Sequence, residues 1–176
     1  MIEWLLNVIK DGWARVTPLV EIVPYEAGVV LRRGAYHRTL AAGWHWKWPV
    51  FEMVLEATTC VTTTRLPAQS LTTKDGKGVV AAAIVKYEIK DVKPYLLDIF
   101  DQNDVLVDVT MGAIRKAVSS ADYLTLMAEP PEKAVLDEVR GEVNKYGFKV
   151  HRLTFTDFAL VRSIRLIQPH AKDLAN

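Results

Sequence analysis

The sequence predicts an α+β fold: an antiparallel β-rich subdomain followed by an α/β subdomain, preceded by an N-terminal amphipathic helix. Three observations carry this. Residues 2 to 16 repeat apolar side chains at helical spacing. Residues 19 to 90 run as β-branched, extended segments divided by Gly and Pro. From Asp91 the apolar period lengthens to three and four, until a last strand-like segment begins near Phe148.

Wound at 100° per residue, "MIEWLLNVIKDGWARV" sets Ile2, Leu5, Leu6, Ile9, Trp13 and Val16 within an arc of about 100°. Trp4 flanks that arc, and Glu3, Asn7, Lys10, Asp11 and Arg15 oppose it. Thr17-Pro18 ends the helix, because proline disfavours helical backbone at the residue before it. Two readings follow. The helix packs on its own domain, or it lies in the headgroup plane of a bilayer, which its two tryptophans favour.

Next, "LVEIVPYEAGVVLRRG" reads as a strand, a turn at 25–28 and a second strand, and "AYHRTLAAGWHWKWP" as a loop and a short strand. "FEMVLEATTCVTTTRLP" reads as one long extended stretch, and "TTKDGKG" as a hairpin turn of the Asp-Gly kind. In "VVAAAIVKYEI" Val79, Ala81, Ala83, Val85, Tyr87 and Ile89 share one face. A short helix starts at Asp91, its expected cap, with Pro94 in the first turn. A second has Leu106, Val109, Ala113 and Ala117 on its inner face. A third runs from about Pro131 to Tyr146, with Leu136, Val139, Val143 and Tyr146 inward, and Gly147 closes it. "FKVHRLTFTDFAL" is the last strand, with Val150, Leu153 and Phe155 as its apolar positions. The expected organisation is a helix over 1–17, a domain over 18–168 (β-rich to about 90, α/β from about 91 to 160), and a short tail over 169–176.

The 22 basic and 21 acidic side chains leave a net charge of +1, and the basic ones are scattered. Proteins that neutralise phosphate backbones concentrate positive charge, so no nucleic-acid partner is expected. The lone Cys60 builds neither a disulfide framework nor a cysteine zinc site. His37, His45, His151 and His170 form no zinc-binding spacing, and neither a phosphate loop nor a nucleophile elbow occurs. No catalytic residue, cofactor or metal site is therefore expected. No run of eighteen apolar residues could span a bilayer, and the N-terminus lacks the basic region of a secretory signal, which makes the cytoplasmic side the default.

Four segments, in order, carry a resemblance. They are "VPYEAGVVLRRGAYHRTLAAGWHWKWPVFEMV", "TTTRLPAQSLTTKDGKGVVAAAIVKYEIKD", "AIRKAVSSADYLTL" and "NKYGFKVHRLTFTDFA". Together they resemble the stomatin/prohibitin/flotillin (SPFH, or band 7) domain over about 21–168. The chain departs from it at Ser119-Ser120-Ala121-Asp122, where many members carry Gly-Thr. It also stops within about ten residues of the domain, where members commonly continue into a long coiled coil. Pro169 interrupts the tail, and Ile164, Leu166 and Ile167 are too few for a coiled-coil seam.

The resemblance implies a non-enzymatic, membrane-associated scaffold that assembles side by side into homo-oligomers, rings among them. It implies that such a scaffold organises or restrains membrane partners such as a protease or channel. The alternative is a soluble protein-binding module whose N-terminal helix folds onto its own domain. The expected membrane contacts are Ile2, Trp4, Leu5, Leu6, Ile9, Trp13 and Val16, joined by Trp44 and Trp48 of "GWHWKWPVF", while Trp46 is expected to fill the β core. Without a coiled coil, self-association falls to lateral faces. The charged helix near the C-terminus offers Lys133, Asp137, Glu138, Arg140, Glu142 and Lys145.

Overall fold

A computed structural model of the chain describes residues 18–161; the expected N-terminal helix and the C-terminal tail lie outside the described residues. Strand β1 (Leu19–Ile22) pairs antiparallel with β4 (Gly43–Trp46). Strand β2 (Glu26–Arg32) lies between β3 (Ala35–Leu40) and β5 (Glu52–Thr58), again antiparallel. Here β2 buries Gly28, Val29 and Val30 in succession, as a strand covered on both faces must. Val30 packs with Ile22 and Leu40 on one side, and Val29 with Ala57, Ile89 and Val92 on the other. The turn expected at 25–28 therefore lies earlier, at 23–25, because Gly28 is needed inside β2.

Two further expectations are corrected. "AYHRTL" is strand β3, not loop, joined to β2 by a two-residue turn at Arg33-Gly34 whose φ angles are both positive (52° and 82°). Most of its side chains are exposed, so it carries no burial alternation to read. The long extended stretch is two strands. β5 ends at Thr58 opposite Glu26, and β6 (Thr62–Arg65) starts in a different sheet opposite Tyr87.

That second sheet is built on β8 (Gly78–Ile89). β6 and β7 (Gln69–Thr72) flank one side of it and β9 (Phe148–Leu160) the other, all antiparallel. The expected face of β8, from Val79 to Ile89, is buried throughout. Helices α1 (Val92–Leu97), α2 (Gln102–Ser120), α3 (Tyr123–Ala128) and α4 (Glu132–Val143) follow, with a 3₁₀ turn over Asn144–Tyr146. The main core joins β8 and β9 to Leu106, Ala113, Ile114 and Val118 of α2, Leu126 of α3, and Val135, Val139 and Val143 of α4. The inner stripe of α4 thus includes Val135 and leaves Leu136 and Tyr146 half-buried.

The ends of these elements follow local chemistry. Asp91 caps α1 by accepting from the Lys93 amide at 3.1 Å. The β7–β8 hairpin ties itself to the start of α3. Asp75 accepts from the Thr73 hydroxyl and the Tyr123 amide and pairs with Lys77, which together hold its carboxyl down to about 2. After α4 the chain turns at Gly147, φ 84°, whose carbonyl accepts from Lys90 and Asp91 at 2.8 and 3.2 Å. A side chain there would put its Cβ 2.0 Å from the Asp91 carbonyl oxygen.

Gly147→Ala is therefore expected to cost at least about 2 kcal/mol, from a strained φ plus a backbone clash. Gly141→Ala, inside α4 with open space around it, should instead gain about 0.5–1 kcal/mol. Thermal denaturation of the two variants checks both signs.

Candidate functional site

The alternation of β4 has two faces, and its pairing with β1 decides which is inward. Ile22 sits opposite Gly43 and Val20 opposite His45, and Ile22 and Val20 pack into the core beside Val30. The other face pairs Leu19 with Trp46 and Glu21 with Trp44. Trp44 is 68% exposed and Trp46 57%, so the expectation that Trp46 fills the core is overturned. The small and polar positions, Gly43 and His45, face the core strands instead. Lys47 extends the pairing by donating its amide to the Pro18 carbonyl at 2.7 Å.

Beyond Lys47 the chain turns through Trp48, Pro49, Val50 and Phe51 and enters β5 at Glu52. Trp48 is 57% exposed and Val50 82%, with Phe51 and Met53 also more than half exposed. Leu19, Trp44, Trp46, Trp48, Val50, Phe51 and Met53 therefore put unusually large apolar area on one turn and the strands that flank it.

This turn is held by a polar interior. The Glu52 side chain is buried. Its Oε1 accepts from Arg32 Nε at 3.1 Å and Nη2 at 2.7 Å, and its Oε2 accepts from the Trp48 amide at 3.0 Å. Arg38 Nη2 approaches Oε2 to 3.7 Å and also donates to the Trp46 carbonyl. Main-chain bonds close the turn, from Glu52 N to Trp48 O at 2.8 Å and from Arg33 N to Phe51 O at 3.0 Å. The Trp48 amide and the guanidinium groups of Arg32 and Arg38 outweigh burial and hold the Glu52 carboxyl below its ordinary value. Glu52, Arg32 and Arg33 were not legible as site residues. The pairing of Arg32 with Glu52 arises from the β2–β5 register, across twenty residues.

The six charged residues expected at an oligomer contact divide into two groups. Glu138 pairs with Lys116 of α2 at 2.7 Å. Arg140 donates to the Val150 and His151 carbonyls of β9 at 2.8 and 3.0 Å, and lies 3.7 Å from Asp137. Lys133, Asp137, Glu142 and Lys145 are exposed. Ile2, Trp4, Leu5, Leu6, Ile9, Trp13 and Val16 lie outside the described residues. Cys60 is exposed, and among the described residues no group of three His, Cys, Asp or Glu side chains could hold a metal ion. Among them, too, no helix is long and apolar enough to cross a bilayer.

Because Glu52 accepts three N–H bonds, Glu52→Gln leaves donors facing a donor. It should cost about 2 kcal/mol, read as a melting midpoint lower by roughly 4–8 °C. The native carboxyl is shifted down, so its contribution is complete above its ordinary value of 4.5 and is lost as pH falls through the lower folded value. The gap between native and variant midpoints should be full at pH 7 and narrow below about pH 4.5. Equal midpoints at neutral pH would show the carboxylate to be dispensable.

A family model described as "SPFH domain / Band 7 family" matches residues 20–166. An uncharacterized protein of Archaeoglobus fulgidus is 24% identical over 148 residues, 81% of this chain and 58% of its own length. An uncharacterized protein of Methanocaldococcus jannaschii is 22% identical over 152 residues, 85% of this chain and 76% of its own. A third, from Methanothermobacter thermautotrophicus, is 27% identical over 132 residues, 74% of this chain and 42% of its own. The matched region is thus little more than half of the first relative and less than half of the third. With its strand order, its core and nearly its whole described length inside the matched range, this chain belongs to the SPFH domain / Band 7 family.

Proposed function

We propose that the protein is a non-enzymatic scaffold that rests on a membrane surface through the Trp44–Met53 tip and assembles laterally with copies of itself. Members of the family are in general membrane-associated scaffolds, which supports the broad reading. The observation that carries the specific one is the exposure of Trp44 and Trp46 on the outer face of β4, beside Leu19, and of Trp48, Val50 and Phe51 on the turn that follows. Indole rings settle at the boundary between acyl chains and headgroups, with the apolar body in and the N–H toward water. The amphipathic pattern of residues 2–16 supplies a second apolar surface.

The lateral contact we assign to the outer face of α4, through Lys133, Asp137, Glu142 and Lys145. Glu138 and Arg140 are already bonded within the chain, Arg140 while still exposed. Such a contact is partly electrostatic, and a bilayer favours it by holding copies in one plane. The scaffold would organise or restrain a membrane protein, a protease or a channel among the candidates, from the cytoplasmic face.

Two experiments test this reading. Trp46→Ala should change stability by less than about 1 kcal/mol, since the ring is exposed. Combined with Trp44→Ala and Trp48→Ala, it should remove most vesicle flotation. A folded triple variant that floats as well as the native chain would place the bilayer contact elsewhere, with residues 2–16 the next surface to delete. Sedimentation should show a concentration-dependent oligomer, weakened by high salt and by Lys133→Glu with Lys145→Glu, and promoted by vesicles. A monomer under every condition would remove the scaffold and leave a soluble binding module.

A further inference from the structure

Within the aromatic tip lies a hollow of about 550 Å³ lined by Arg32, Arg33, Trp48 and Phe51. From this geometry we infer that it is a subsite for the phosphate of an anionic lipid headgroup, an inference that rests on the bilayer reading above.

The charge count points to an anion. Arg32, Arg33 and Arg38 lie at this end of the sheet, and among the described residues Glu52 is the one carboxylate bonded to any of them. Among the described residues, three guanidinium groups thus share one bonded carboxylate; Glu21, opposite Trp44, is the acid on the neighbouring β1–β4 face. Arg32 presents one edge of its guanidinium to Glu52 through Nε and Nη2, which leaves its Nη1 amino group without a partner among the described residues. That half-exposed group is fixed in direction by the buried bond behind it. Arg33 has no acidic partner among the described residues, and its guanidinium carbon stands 5.3 Å from the centre of the Phe51 ring. A planar donor resting on an aromatic face, beside a second donor held from behind, suits a phosphate better than a point cation would.

The backbone adds an independent observation. Arg33 is the one non-glycine residue with positive φ among the described residues. A two-residue turn of this kind favours asparagine followed by glycine, and a long side chain at its first position is disfavoured. The turn has its glycine, Gly34, but carries an arginine where asparagine would fold better. Arg33 thus combines a strained backbone in a solvent-facing turn with a side chain that lines the hollow.

That mismatch also supplies the test. Arg33→Asn removes the cation while improving the turn, so its melting midpoint should equal or exceed that of the native chain. Its binding is measured by flotation on vesicles of neutral phosphatidylcholine and of phosphatidylcholine mixed with anionic phosphatidylglycerol. The native chain should prefer the anionic vesicles. Arg33→Asn should lose about fivefold on them, the worth of one basic residue at a charged surface, and change little on neutral ones. Arg33→Lys should fall between, because the charge remains but the planar, stacked donor is gone.

Equal binding of native chain and Arg33→Asn to anionic vesicles, with neutral binding intact, overturns the headgroup subsite and leaves the bilayer reading standing. Full affinity in Arg33→Lys reduces the hollow to diffuse charge and also overturns the subsite. Absence of binding to either vesicle removes the bilayer reading, and the subsite with it.

Discussion

The buried Glu52 carboxylate is the contact on which the tip is built. An ionised carboxylate taken out of water is destabilising unless donors surround it. Here two N–H groups of Arg32 and the Trp48 amide do so, with Arg38 close by. The arrangement inverts the usual division of labour. Elsewhere in the domain apolar side chains meet inside and charges face water, as along β8. At the tip the apolar side chains face outward and contribute little to holding their own turn. Charge-assisted hydrogen bonds and three main-chain bonds fix it instead. A turn shaped by polar contacts keeps its form whether or not anything covers its tryptophans.

Much of the fold was legible where one side of an element is buried and the other wet. The strand from Gly78 to Ile89 alternates over its whole length, and its inner face could be named residue by residue. Asp91 as a cap, the Asp-Gly hairpin and Gly147 as a terminator follow from local backbone chemistry alone. Three features were not legible, each for a physical reason. β3 shows too little burial to leave a pattern. The break at residues 59–61 falls in a threonine-rich run with uniform strand propensity, and only the change of pairing partner ends β5. For the tryptophans, period two divides the side chains into two sets but does not say which set is inward. That depends on the register with β1, which brings Ile22 opposite Gly43. The candidate site was legible as an unusual density of indoles; its polar support, made across β2 and β5, was not.

The α4 helix has two sides with different duties. Toward the sheet, beside the valine stripe, Arg140 and Glu132 bond backbone groups of β9. Arg140 takes the carbonyls of Val150 and His151, and Glu132 accepts from the Phe155 amide at 3.1 Å. Both places adjoin register shifts in the β8–β9 pairing, where the ladder cannot serve every backbone group. The outer charges of α4 therefore ride on a helix whose position is set by polar as well as apolar contacts.

β8 runs through both halves of the domain. Its middle belongs to the main core, while Ile89 at its end packs with Val29, Ala57 and Val92. Gly147 fastens the same junction from the other chain direction through its bonds to Lys90 and Asp91. With one strand passing through and one clamp across it, the tip and α4 have a set heading relative to each other. A copy seated by its tip on a flat surface would hold α4 at one tilt, the same for every copy. Neighbours would then meet with part of their rotational freedom already spent, and a weak contact between mixed charges could suffice to keep them in register.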